Sequence, residues 1–196
     1  MTKLLSGAAL AVLALSVPAA VSAQRLGPAV VAVVDTDRIS RECTACRAAA
    51  TQLQNQGNTL RTRAQALQTQ LQTQGQPIQT AVAALNGRQP DAALQQRITA
   101  FQTAQNNAQQ ELARGENNLR STQANVQQQI GARLGPIINT VMTARGANVA
   151  VDRGATLAAA PALDITNEVL AQLNQQLPSV SVTPLPQQPQ AATQGR

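Results

Sequence analysis

Histidine, tyrosine and tryptophan are absent from this sequence, and Phe101 is its only aromatic residue. Without histidine there is no His-based triad and no imidazole general base. Cys43 and Cys46 are the only cysteines, too few for a zinc site on their own. No glycine-rich phosphate loop occurs. The nine acidic residues are scattered. Asp35 and Asp37 lie close together, but they suit the start of a helix better than acid–base work, and Asp152 and Asp164 fall where turns and caps belong. An enzyme is therefore the least supported class, and no cofactor or metal is expected.

The lack of aromatics also bears on nucleic acid. The formal net charge is +6, yet single-strand binders need stacking platforms, and no dense Lys/Arg cluster is present. No nucleic-acid partner is expected. Long apolar runs are missing too, except at the start. Lys3, the apolar run Leu4 to Val17 and the small residues Val21-Ser22-Ala23 read as a signal peptide spanning residues 1–23, with cleavage near Ala23. Its removal takes away the only lysine and leaves 14 cations, all arginine, against nine acidic residues, a balance of +5.

What the chain does have is a long, polar, helical middle. Residues 51–134 carry apolar or small side chains at Leu53, Gly57, Leu60, Ala64, Leu67, Leu71, Gly75, Ile78, Val82 and Leu85. A second set follows at Leu94, Ile98, Phe101, Gln105, Ala108, Leu112, Gly115, Leu119, Thr122 and Val126. Steps alternate between four and three, the seam of a coiled coil. One extra four-residue step, from Leu71 to Gly75, is a stutter that locally unwinds the coil. Between the seams, Asn86-Gly87-Arg88-Gln89-Pro90 marks a turn, placing a hairpin tip at 86–91. Gly57, Gly75, Gln105, Gly115 and Thr122 are expected to bury little, so the seam reads as weak. Pro77 should bend the outgoing helix rather than end it.

The flanking segments, 24–50 and 135–176, read as a small body. Val30–Val34 is a buried strand. A helix from Arg38 to Ala50 should run on into the arm. Gly135-Pro136 should break the returning helix. Ala147–Asp152 reads as a second strand, 155–158 as a third, and Asn167–Gln175 as a last helix. Residues 177–196, rich in Pro and Gln, read as a disordered tail. Cys43 and Cys46 suit a local disulfide in an exported protein. The apolar residues of the body are too few to fold unaided, which points to oligomerisation.

The strand Val30–Asp35 passing into a long helix, the polar hairpin, Ala147–Asp152 and then Leu163-Asp164-Ile165-Thr166-Asn167-Glu168-Val169-Leu170 together resemble the Skp/OmpH family of periplasmic chaperones. The resemblance covers about residues 25–174. It implies a mainly α fold with a small β body: a long antiparallel helical hairpin, or coiled-coil arm, projecting from a small trimeric β-rich base. It further implies a periplasmic homotrimer that holds unfolded outer-membrane proteins between its arms without ATP. The sequence departs from the family pattern in its Gln-rich, Lys-free arms, its cysteine pair and its Pro-rich tail. The alternative class is a structural or tethering hairpin of the envelope, like an export-channel adaptor. The short stretch before the arm leaves no room for an adaptor's larger β domain.

Arm cations Arg61, Arg63, Arg88, Arg97, Arg114, Arg120 and Arg133 stand against Asp91, Glu111 and Glu116, a net +4. These seven are the candidate contacts for acidic unfolded chains, with anionic lipid surfaces as a weaker partner.

Overall fold

A computed structural model describes residues 27–186. The expected signal peptide and residues 187–196 lie outside the described residues. The elements follow in the order β1 (Val31–Val34), α1 (Thr36–Glu42), α2 (Thr44–Ala83), α3 (Ala92–Ala144), β2 (Val149–Asp152) and α4 (Thr166–Gln176), with 3-10 turns at Arg153–Ala155 and Pro161–Leu163.

β1 has Val at three of its four positions, and β-branched side chains suit a pleated, buried strand. It pairs in parallel with β2, from Val31 opposite Val149 to Val34 opposite Asp152. Parallel neighbours need a long connection. Here α1, α2 and α3 together form it. The expected third strand at 155–158 is not formed. Asp152 Oδ1 accepts the Gly154 N–H at 2.7 Å and Thr156 Oγ1 donates to the Arg153 carbonyl at 2.8 Å, which tightens this stretch into a turn. The free side of β1 is met by a later residue: the Ile165 N–H donates to the Val33 carbonyl at 2.9 Å.

The core lies between this sheet, α1, the end of α3 and α4. Ile39, Ile137, Val141, Ile165, Val169 and Leu173 are each 3% exposed or less. Cys43 and Cys46 join the same cluster and are disulfide-bonded. Caps tie the pieces together. Asp35 Oδ1 accepts the Arg38 N–H at 2.7 Å and starts α1. The Asp35 N–H donates to Thr166 Oγ1 at 2.9 Å. Asp152 Oδ2 accepts from both the backbone and the hydroxyl of Thr36, joining the end of β2 to the start of α1.

Two helix boundaries differ from those expected. The helix after Asp37 does not run unbroken into the arm: Cys43, with ψ 125°, leaves the helical region and caps α2 through its sulfur. The disulfide and two hydrogen bonds hold the break. The Cys46 N–H reaches Cys43 Sγ at 3.2 Å, and the Thr44 N–H reaches Asn174 Oδ1 on α4 at 2.9 Å. Conversely, Gly135-Pro136 does not break α3, which continues to Ala144. Proline forfeits one helical hydrogen bond. Buried Ile137 and Val141, just beyond it, anchor the helix to the core and offset that loss. α2 likewise continues through Pro77.

α2 has 40 residues and α3 has 53, so they extend ~60 and ~80 Å at ~1.5 Å per residue. Their contacts run in opposite order: Gly57 against Leu119, Leu60 against Gly115, Arg63 against Glu111, Gly75 against Phe101. Asn86 and Gly87 reverse the chain with φ of 46° and 85°, a conformation glycine adopts without steric cost. Asp91 then caps α3 by accepting the Leu94 N–H at 2.8 Å.

Candidate functional site

The seam explains the surface that surrounds it. Of the expected seam positions, only Val82 and Gln105 are exposed; the others are buried or half-buried. Val82 sits next to the end of α2. Beside position 105 it is Ala104 that is half-buried, and Ala108 is buried as expected. The seam glycines were expected to contribute little. They are sockets: a Cβ on Gly115 would lie 2.5 Å from Leu60 Cδ1, and one on Gly75 would lie 3.0 Å from Phe101 Cζ. Leu60 and Phe101 are knobs that need those holes.

Small residues at the stutter also thin the seam. Between the two helices there lies a groove of ≈ 670 Å³, with Leu67, Leu71, Phe101 and Leu112 among its apolar lining. Its polar lining is all glutamine: Gln68, Gln72, Gln76, Gln79 and Gln109. A cleft of ≈ 370 Å³ near Pro77 shares Phe101 and adds Ile78 and Arg97. A third, of ≈ 420 Å³ at the tip, brings Arg88 and Arg97 beside Asp91.

The seven candidate arginines are all exposed, and the structure gives them different tasks. Arg63 is tied across the helices to Glu111, its Nη2 3.0 Å from Oε2. That hydrogen bond, with the charges of Arg63 and Arg114, outweighs desolvation and holds the Glu111 carboxyl below its ordinary value. Arg61, Arg114 and Arg120 bond to amides on their own helices, Asn58, Gln110 and Asn117. Arg88 Nε donates to the Leu85 carbonyl at 3.2 Å and helps close the turn. Arg97 lines the two outer clefts, and Arg133 lies exposed near the root. Arg88 and Arg97 share the tip cleft, and Arg63 and Arg114 both act on Glu111.

A second feature, at the root of the arm, was not foreseen. The expected disordered tail is corrected over residues 177–186. Leu177 is buried in the body core and Val180 packs against it. Residues 181–185 then lie along the helix pair. Gln56 on α2 donates to the Val182 carbonyl at 2.9 Å, and on α3 Asn125 donates to the Thr183 carbonyl at 2.9 Å. Gln129 bonds both groups of Ser181, its Nε2 donating to the carbonyl at 3.0 Å and its Oε1 accepting the N–H at 2.9 Å. The Leu185 N–H donates to Ser121 Oγ at 2.9 Å. Composition alone suggested disorder; the local signal for an extended strap was the alternation Ser-Val-Ser-Val-Thr before Pro184.

Residues 30–173 match a family described as "Outer membrane protein (OmpH-like)". The chain belongs to the OmpH-like family. The structure of an OmpH-like protein from Caulobacter crescentus CB15, solved as a candidate outer membrane chaperone, superposes on this OmpH-like chain with a TM-score of 0.65. The two are 23% identical, and the match covers 83% of this chain and 96% of the other. That likeness is one of fold. No curated protein gives a significant match. Among the described residues, no helix is long and apolar enough to cross a membrane, and no three His, Cys, Asp or Glu side chains cluster as metal ligands.

Proposed function

We propose that this OmpH-like chain is an ATP-independent holdase of the periplasm, exported by its leader and active as a homotrimer. Unfolded outer-membrane proteins would be held between three α2–α3 arms. The observation that carries this reading is the arm surface: an apolar groove floor edged by uncharged amides, with Arg97 in the adjoining cleft that shares Phe101. Such a surface offers many weak contacts to an unfolded chain, and weak contacts exchange without nucleotide. The Caulobacter relative's description as a candidate outer membrane chaperone agrees with it.

Trimerisation is supported by the body. Among the described residues its sheet has two strands, and Val30, Val149, Leu157 and Leu163 are exposed. Unpaired strand edges and exposed apolar side chains favour association. Net positive arms around one space would steer acidic unfolded chains inward. Light scattering coupled to size exclusion tests the assembly: a mass of three chains is expected, rising by one client when an unfolded barrel protein is added. A monomer that leaves the client unbound would refute both parts.

A further inference from the structure

We infer that Gln56, Ser121, Asn125 and Gln129 form a binding site for extended polypeptide backbone, and that residues 181–185 occupy it as a built-in competitor of the client. This rests on the holdase reading for the client's identity, but not for the site itself.

Every bond these four side chains make to the strap goes to its main chain: three carbonyls and two N–H groups. None of these five bonds goes to a strap side chain. Gln129 is the clearest case. Its amide donates to the carbonyl and accepts from the N–H of one residue, Ser181, as a residue of a neighbouring antiparallel strand would. A site that pairs with backbone in this way accepts any segment whose N–H and C=O groups are unsatisfied. That is the defining chemistry of an unfolded chain. The site needs no charge, so it is distinct from capture by arginine.

Two further observations extend the argument. Farther out, the larger groove is edged by the same donor and acceptor type, the glutamine amide. A client segment bound at the root could continue along it. The strap is also anchored just before the site, by Leu177 and Val180 in the body core. A short tether gives an effective concentration in the millimolar range. Even weak intrinsic affinity then keeps the site filled, and a client must displace the strap.

The test compares the full mature chain with a form ending at Val180, which keeps both anchors and loses the strap. The probe is a capped synthetic peptide of residues 179–186, titrated by NMR to several millimolar, the range of such tethers. The shortened form is expected to bind it, with shifts centred on residues 121–129. The full chain should bind it roughly tenfold more weakly, because its site is mostly occupied. Gln129→Ala in the shortened form should weaken binding severalfold, since two hydrogen bonds are lost. Unfolded outer-membrane barrel protein should bind the shortened form more tightly than the full chain. No peptide binding to the shortened form, with helix content unchanged, overturns the inference. Equal binding to both forms also overturns it. If the peptide binds as expected but the barrel protein binds neither form, the backbone site stands and the holdase reading falls. If the barrel protein binds both forms equally and the peptide binds neither, the reverse holds.

Discussion

Replacing Gly115 by alanine should destabilise the helix pair relative to the same change at Gly131, although both glycines lie inside α3. In an unconstrained helix interior, Gly→Ala gains ~1 kcal/mol through backbone entropy alone. At Gly131 nothing lies within 4 Å of the new Cβ, so that gain should appear in full. At Gly115 the Cβ would sit 2.5 Å from Leu60 Cδ1, well inside van der Waals contact. Leu60 is half-buried on the seam, so its side chain must leave its socket or α3 must move away. The atom met is the tip of a flexible, half-exposed side chain, so the shift falls at the low end of overpacking costs, ~1 kcal/mol or less. The propensity gain is common to both sites and cancels in the comparison. The difference between the two variants therefore isolates the steric cost, ~1 kcal/mol or less. Circular dichroism melting gives the overall change, and hydrogen exchange of amides around residues 112–118 localises it. In a Leu60→Ala background the clash disappears, and Gly115→Ala should become stabilising. If Gly115→Ala stabilises as much as Gly131→Ala with Leu60 present, the socket account of the seam is wrong.

The remaining expectations concern charge, acid and the disulfide. Asp152 is held below its usual carboxylate value of 3.8 by the Thr36 hydroxyl and then the Gly154 N–H, which outweigh desolvation. With the folded value lowered, its stabilisation is present above the unfolded value and is lost as pH falls through the folded one; acid unfolding below pH ~4 should be steeper in wild type than in Asp152→Asn, and superimposable curves would contradict this. Replacing both Cys43 and Cys46 by serine should lower stability by about 2 kcal/mol, judged by chain entropy for a short loop, yet leave client binding unchanged in a fluorescence titration. Arg97→Gln with Arg133→Gln should slow client association at low salt and change nothing once salt screens charges over ~8 Å or less. Arg63→Gln should instead loosen the helix pair only slightly, because its partner Glu111 is on the facing helix and the exposed pair is screened by solvent.

How much of this was legible beforehand depended on the range of the interactions. The strands and the last helix follow from local pattern, since β-branched runs and apolar spacing declare themselves within a few residues. The seam positions followed the same way. The third strand failed locally, to the turn bonds of Asp152 and Thr156; the other failures were set by distant partners. The break at Cys43 is held in part by Asn174, which accepts the Thr44 N–H from 130 residues away. The continuity of α3 through Pro136 depends on the core that Ile137 and Val141 enter. Glycines 75 and 115 look like weak points along the chain and become sockets only opposite Phe101 and Leu60. In the site, arginine charge was visible, but its engagement was not: Arg63 is committed to Glu111, 48 residues on. The strap was missed for the same reason. Its short alternation marks extended backbone but gives no sign of the four polar side chains that hold it.

The central claim is that this chain keeps unfolded outer-membrane proteins soluble without nucleotide. The most direct measurement dilutes a urea-unfolded outer-membrane barrel protein into buffer containing the mature chain at three protomers per client, and follows light scattering. The account predicts that scattering stays near baseline without ATP, and that the client co-elutes with the chaperone in an unfolded state. Scattering that rises as fast as in buffer alone, with the chain itself folded and trimeric, would contradict it.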